Sequence, residues 1–355
     1  PAAASILSCV YEGLITDLDT GLKTEARYFV QAVLSPEARA MIRTLFFSMN
    51  AANKLAARPA DVPVRRYAKI GVLGAGMMGA GIAYSSAIQG IEVVLKDVSL
   101  EAAEKGKAYS EAILKKRVSR KQMTEEKMQS ILALITPTAD AAALDGADLI
   151  IEAVFENREL KAKVTQEAEQ HMSPEGVFAS NTSTLPITGL AEASRDAAKF
   201  IGLHFFSPVD KMPLVEIIKG EKTDDETLAR AFDYVLQINK TPIVVNDSRG
   251  FFTSRTFGTF VAEGLTMLSE GIHPQFIESS ALQAGMPVGP LAVQDEVSMT
   301  LSRKVTSQTR LDLEAEGTKK LLGVKNNLQE LVVKKFKEAV LPIPGNDDKE
   351  SIKTI

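Results

Sequence analysis

Residues 69–97 read KIGVLGAGMMGAGIAYSSAIQGIEVVLKD. The stretch divides into a buried strand (Ile70–Leu73), a glycine turn (Gly74-x-Gly76-x-x-Gly79), a helix, and a second strand (Glu92–Lys96) ending in Asp97. A lone glycine triplet is weak evidence. Here it follows a strand and opens a helix, and an acid lies 23 residues beyond Gly74. Each position has a physical task. Gly74 permits the tight turn, Gly76 lets a pyrophosphate approach the backbone, and Gly79 lets helix and strand pack closely. The helix N-terminus offers N–H groups and a positive dipole end to the phosphates. Asp97 is placed to accept from a ribose 2′-hydroxyl and to repel a 2′-phosphate, which favours NAD over NADP. The competing reading is a doubly wound domain whose glycine turn holds no ligand.

With 355 residues the chain can bury a sizeable core, and two domains are the natural expectation. It is 45% hydrophobic and 24% charged with a net charge of −4. That balance gives no electrostatic reason to expect nucleic acid or an anionic membrane as partner. The single cysteine, Cys9, excludes an intrachain disulfide framework and suits a reducing compartment; a cytoplasmic location is expected, with an organelle as the alternative. No stretch approaches the roughly 18 apolar residues of a membrane span.

Before the glycine turn, Ile6, Val10, Leu14 and the run Tyr28–Leu34 suggest one or two helices. Ser35-Pro36-Glu37 starts another that runs through ARAMIRTLFFSMNAANKLAA. Arg58-Pro59 and Asp61-Val62-Pro63 then form a proline-punctuated linker. From Lys69 strands and helices alternate, which predicts a parallel sheet with right-handed crossovers. Helices are expected over Ser99–Arg117, Thr124–Leu132, Glu159–His171 and Asp224–Ile238. Further strands are expected over Leu149–Phe155, Val177–Ala179, Phe200–Phe205, Leu214–Ile218 and Ile243–Val245, with a surface turn at 173–176. After Asn246 the pattern is helical only: Gly250–Glu270, Pro274–Ala284, Leu291–Leu313 and Lys325–Val340.

Three histidines can be weighed singly. His171 and His273 sit beside turn residues and read as surface positions. His204 ends the apolar strand FIGLHFF, where strand carboxyl ends meet the ligand crevice. Twelve residues on, Glu216 is the one charge in MPLVEII, and a buried carboxylate needs a partner. Two consecutive strands could bring the two together, so that the carboxylate fixes the imidazole tautomer and raises its basicity. An incidental core pairing is the other reading. Ser183, at a strand end, could donate to a substrate oxygen or cap a helix. No His/Cys/Asp/Glu set has metal-ligand spacing, so no metal is expected.

GVLGAGMMGAGIA, LIIEAVFEN, FASNTSTLPIT and GLHFFSPVDKMPLVEII, in that order, resemble the L-3-hydroxyacyl-CoA dehydrogenases of fatty-acid β-oxidation. The finer wording is similar to the dehydrogenase part of the multifunctional fatty-acid oxidation complex α subunit. SPEARAMIRTLFF resembles the helical end of an upstream hydratase domain, so a fragment without hydratase activity is expected. The resemblance implies an α/β Rossmann-type NAD-binding domain at 67–247, preceded by a helical linker at 1–66. An all-α C-terminal domain at 248–340 and a flexible tail at 341–355 would follow. It implies NAD-dependent oxidation of (S)-3-hydroxyacyl-CoA, with His204 as general base, Glu216 orienting it, and Ser183 touching substrate and nicotinamide. Gly74, Gly76, Met78, Gly79, Asp97, Glu156, Lys161 and Ser207 are the implied NAD positions, and Ser110 and Arg117 fall near coenzyme A. Relatives carry Asn where this chain has Ser207 and Ser254, which loses the amide's reach and second donor. The resemblance further implies an acyl-CoA substrate, a thiolase partner and a homodimer through the helical domain. The alternatives are a weakly active NAD/acyl-CoA-binding segment, or a dehydrogenase of a free hydroxy acid.

Overall fold

The computed structural model describes residues 2–54, 57–297 and 299–315. The helix expected over Lys325–Val340 and the tail expected at 341–355 lie outside the described residues. The chain divides into two compact units. One comprises the chain to Thr182 together with Ile187–Val245; the other comprises Ser183–Pro186 and the chain from Asn246 on.

The first helices are α1 (Ala2–Leu14), α2 (Leu18–Leu34), α3 (Pro36–Met41) and α4 (Met49–Asn53). Asp17 caps α2 by accepting from Thr20 N, and Ser35 caps α3 by accepting from Ala38 N with Pro36 in the first turn. The helix expected to run unbroken from Ser35 is interrupted by a π-helical stretch, Ile42–Ser48. Its wider turns are visible in Ser48 Oγ, which donates to the Arg43 carbonyl five residues back at 3.0 Å. None of α1, α2, α3 or the π-helical stretch buries a residue.

The glycine-turn region continues as β1 (Lys69–Leu73), α5 (Met77–Ala87), β2 (Glu92–Lys96), α6 (Leu100–Ser119), α7 (Glu125–Leu132), β3 (Ile135–Thr138) and β4 (Ala147–Glu152). It goes on through α8 (Arg158–Glu169), β5 (Met172–Ser180), α9 (Ile187–Ala191), β6 (Phe200–Phe205), β7 (Leu214–Lys219), α10 (Asp225–Gln237) and β8 (Thr241–Asn246). The strands form one sheet in the order β3-β2-β1-β4-β5-β6-β7-β8. All pairs from β3 across to β6 are parallel, whereas β6 and β7 are antiparallel. The 206–213 connection cannot make the crossover of about a dozen residues that a parallel pair needs. It closes instead as a loop containing a cis Ser207–Pro208 bond.

In the sheet, strands β3 and β5 differ most from the sequence expectation. Strand β3, ITPT, was not expected, because two threonines and a proline give no apolar run; as the sheet's edge strand it tolerates Pro137. Strand β5 reaches back to Met172. The turn-like residues 173–176 fall where the β4–β5 register jumps, from Ala147↔Met172 to Leu149↔Val177, so they form a bulge within the strand.

Alternate residues of the central strands (Ile70 and Val72, Leu149 and Ile151, Leu203 and Phe205, Val215 and Ile217) enter one core with Ile82, Leu114, Phe232 and Tyr234 of the helices. By strand alternation, His204 and Glu216 belong to the opposite face. There Gly202 admits Ile187, which stands 2.8 Å from where a Cβ would lie. The strand order reverses between β1 and β4, whose ends Leu73 and Glu152 are partners. Such a reversal opens the ligand crevice of doubly wound sheets.

The second unit contains α11 (Thr253–Ser269), α12 (Pro274–Gln283), α13 (Pro290–Val297) and α14 (Met299–Ala315). Leu265, Leu268 and Ile277 form its buried cluster. The helix expected over Leu291–Leu313 is described as two, α13 and α14. His273 caps α12, its Nδ1 accepting from Gln275 N at 3.3 Å.

The linker is tied to α10 by a buried ion pair. Arg58 Nε and Nη2 donate to the two oxygens of Asp233 at 2.8 and 2.9 Å, and Asp233 also accepts from Arg65 N. The Asp233 hydrogen bond raises the Arg58 guanidinium above its ordinary range. Replacing Asp233 with alanine leaves the Arg58 guanidinium with only the Pro59, Val62 and Pro63 carbonyls, and breaking the pair is expected to cost about 3–5 kcal/mol, read as a lower denaturation midpoint.

Candidate active site

The glycine turn is built for a close ligand. Gly74 has φ +92° and donates to the Lys96 carbonyl at 2.8 Å; a Cβ on it would lie 2.7 Å from the Ala153 carbonyl oxygen. A Cβ on Gly79 would overlap the Gly74 carbonyl oxygen. A Cβ on Gly76, in contrast, would meet nothing within 4 Å, and α5 starts after Gly76 with no side-chain cap. The turn thus leaves open the approach that a diphosphate requires at a helix N-terminus. Asp97 is pinned at the end of β2: its two oxygens accept from Ala75 N and Val98 N, each at 2.6 Å. A carboxylate has about four lone-pair sites, so Asp97 retains capacity for a ribose hydroxyl. Met78 packs on the sheet core as a partly buried residue. These residues fit a dinucleotide.

Beside the turn, the ends of β4 and β5 carry a buried polar network. Lys161, 2% exposed, donates to both oxygens of Glu152 at 2.8 and 3.0 Å and lies 3.4 Å from Glu156. Glu152 also accepts from Ser180 Oγ at 2.7 Å and Val154 N at 2.7 Å. Thr182 Oγ1 donates to Glu156 at 2.9 Å. The family resemblance implies Glu156 and Lys161 but not Glu152, Ser180 or Thr182. The available signal was Glu152 itself, a lone acid closing the apolar run LII. A buried charge without a partner is so unfavourable that such a position announces a cation nearby.

The expected His204 pairing forms. In the antiparallel β6–β7 register His204 stands opposite Glu216, and His204 Nδ1 lies 2.7 Å from Glu216 Oε2. Glu216 is wholly buried and His204 is 7% exposed. The Phe206 ring lies 4.5 Å from the imidazole, centroid to centroid. Just before it, Phe205 N donates to Asn181 Oδ1 at 2.8 Å, past the Ser180↔Gly202 end of the β5–β6 ladder. A buried carboxylate on Nδ1 holds that nitrogen protonated and leaves Nε2 as the basic one.

The other named residues fall as follows. Ser207 is exposed on the loop after β6, its Oγ 3.6 Å from Met77 Sδ. Arg117, on α6, donates to Tyr84 OH at 3.4 Å. Ser110, one face-repeat earlier on α6, is fully buried, and its hydroxyl has no partner. The structure therefore gives Ser110 no open face toward a ligand. Ser183 follows Thr182 and is grouped with the second unit, to which Ser254 on α11 also belongs. His171 Nδ1 lies 2.8 Å from Asp145. Among the described residues no group of three His, Cys, Asp or Glu could hold a metal ion, and no helix is long and apolar enough to cross a membrane.

A glycine turn of this form on a doubly wound sheet, with a pinned acid after β2, defines the class of NAD-binding domains. Residues 69–248 match the NAD-binding domain of 3-hydroxyacyl-CoA dehydrogenase, and residues 250–339 match its C-terminal domain. The chain belongs to the 3-hydroxyacyl-CoA dehydrogenase family, and its cofactor is NAD. It is 37% identical over 307 residues to a fatty acid oxidation complex subunit alpha of Shewanella sp. (strain W3-18-1). That match covers 86% of this chain and spans 43% of the relative's length. Among solved structures, (S)-3-hydroxybutyryl-CoA dehydrogenase of Ralstonia eutropha is 36% identical with a TM-score of 0.65, covering 68% of this chain and 86% of that one. The 3-hydroxybutyryl-CoA dehydrogenase of Escherichia coli is 31% identical with a TM-score of 0.69, covering 76% and 57%.

Because a Cβ at position 79 would push into the Gly74 carbonyl, Gly79→Ala must shift the turn. Titration with NADH, followed by its fluorescence, is expected to show a Kd raised by about tenfold or more.

Proposed function

We propose that the chain oxidises (S)-3-hydroxyacyl-CoA to 3-ketoacyl-CoA with NAD, as a step of fatty-acid β-oxidation. The observation that carries this reading is the buried Glu216–His204 pair at 2.7 Å, at the end of a strand in a family of NAD-dependent dehydrogenases. NAD, when bound, supplies the acceptor for the hydride leaving C3 of the substrate. The chain's own residues do the rest. His204 Nε2 takes the proton of the 3-hydroxyl as the C3–H bond breaks and C3=O forms. Glu216 then stabilises the imidazolium across the Nδ1–H bond, without leaving its buried position. The turn Gly74–Gly79 and Asp97 hold the diphosphate and adenosine ribose. Glu156 and Lys161 shape the loop after β4 on the cofactor side, with Ser207 on the loop after β6.

Ser183 is read as the hydroxyl that touches substrate and nicotinamide, and Ser207 and Ser254 each offer one donor where the amide of relatives would offer two. Arg117 is read as a contact of the coenzyme A moiety, supported by its cationic side chain beside Tyr84. The thioester preference is supported by the names of the relatives, which are 3-hydroxybutyryl-CoA dehydrogenases and fatty acid oxidation subunits. Association with a thiolase and homodimerisation through the helical unit complete the proposal. The lone Cys9 suits the reducing cytoplasm proposed as its location.

The test is absorbance at the NADH band with NAD and 3-hydroxybutyryl-CoA, beside the free acid. Turnover with the thioester and little with the free acid is expected; a folded protein silent with both sinks the proposal. His204→Gln keeps an amide able to donate to Glu216 but removes the base. It is expected to fold and to lose about 100- to 10,000-fold in kcat.

A further inference from the structure

The feature that the proposed chemistry leaves unused is Lys240, a buried cation just before β8. It is 8% exposed, and its Nζ donates to the Val209 carbonyl at 2.6 Å and the Met212 carbonyl at 2.7 Å. Burial pushes its ammonium below the usual lysine range, and nearby Asp210 opposes that shift. An ammonium in this setting is unfavourable unless its donors are used, and a methionine of similar volume would fill the space without that penalty. What the amine adds is a grip on two backbone carbonyls of one loop.

That loop is 206–213, the direct connection between β6 and β7. His204 stands two residues before it and Glu216 three residues after it. Slack in the loop therefore reaches both members of the pair. The same loop is held against the cofactor-side helices at three other points. Val209 is buried against Gly81 of α5, where a Cβ would lie 2.7 Å from the Val209 Cβ. Tyr109 OH on α6 donates to Asp210 Oδ1 at 3.0 Å; burial first, and that bond second, push the phenol up to about 12. Ser207 Oγ lies 3.6 Å from Met77 Sδ, at the start of α5.

We propose that Lys240 is a positioning residue for the dehydrogenase reaction. By holding the 206–213 loop through the Val209 and Met212 carbonyls, it fixes His204 against Glu216 and presents Ser207 beside the glycine-turn helix. The proposal rests on the reading of His204 as the base. Lys240 touches neither substrate nor cofactor in this scheme. Its effect belongs in kcat, because a slightly displaced imidazole still lets the thioester bind but misses the near-attack geometry.

The experiment compares Lys240→Met, which keeps the stem and removes the donors, with Lys240→Arg, which keeps donors. Wild type and His204→Gln run in the same NADH assay, and the folded fraction of each variant is read from its thermal transition. Lys240→Met is expected to lose about 10- to 100-fold in kcat, with the KM for 3-hydroxybutyryl-CoA within about threefold of wild type. Lys240→Arg is expected to recover most of that loss. A folded Lys240→Met with wild-type kcat overturns the proposal. So does Lys240→Arg performing no better than Lys240→Met at equal folded fraction. Should Lys240→Met not fold, Tyr109→Phe releases a second anchor of the loop, and a kcat loss of about threefold with unchanged KM is expected; wild-type kcat there overturns the proposal. His204→Gln as active as wild type shows instead that the base assignment has failed. An inactive His204→Gln beside an unimpaired Lys240→Met sinks the Lys240 inference alone.

Discussion

Glu216 sits in the middle of a strand with no exposed surface, and a carboxylate in that position must be matched by a polar partner. The partner is His204, reached only because β7 runs antiparallel to β6 and places the two residues opposite each other. Much of the surrounding structure maintains that juxtaposition. Gly202 keeps the same face of β6 small enough for Ile187, and Asn181 takes up the Phe205 N–H where the parallel ladder ends. The pair is thus a constraint on the sheet as well as a unit of chemistry.

A second constraint lies at the reversal of strand order. Leu73 and Glu152 are partners at the ends of β1 and β4, and the glycine turn and the buried Glu152–Lys161 pair grow out of those ends. Gly74 lies so close to Ala153 that the two loops form one surface. Across the fold, buried charges are met by polar partners. Lys161 meets Glu152 and Glu156, Arg58 meets Asp233, and Lys240 meets carbonyl oxygens. In each case the hydrogen bonds offset a desolvation penalty that neither member could bear alone.

The glycine turn, Asp97 and the order of strands and helices were legible in the sequence because they rest on local signals: glycines at fixed spacing, apolar periodicity, and an acid at a strand end. The lone charge in MPLVEII flagged Glu216 for the same reason, and His204 was its natural partner. Strand β3 was not legible, because an edge strand buries too little to need an apolar run. The bulge in β5 was read as a turn, since its residues have turn chemistry and only pairing with β4 makes them part of a strand. The π-helical stretch at Ile42–Ser48 carries no sequence signal that separates it from an ordinary helix.

The sequence alone therefore determined the class of fold, the cofactor, and one of the acids carried into the interior, Glu216. Those properties follow from composition and spacing within short windows. The tertiary structure decided which charges meet. It set Glu152 rather than Glu156 as the nearer partner of Lys161, sent the Ser110 hydroxyl into the interior, and aimed Lys240 at the loop between His204 and Glu216. Register and burial are properties of strands and helices far apart in the chain, and no local window contains them.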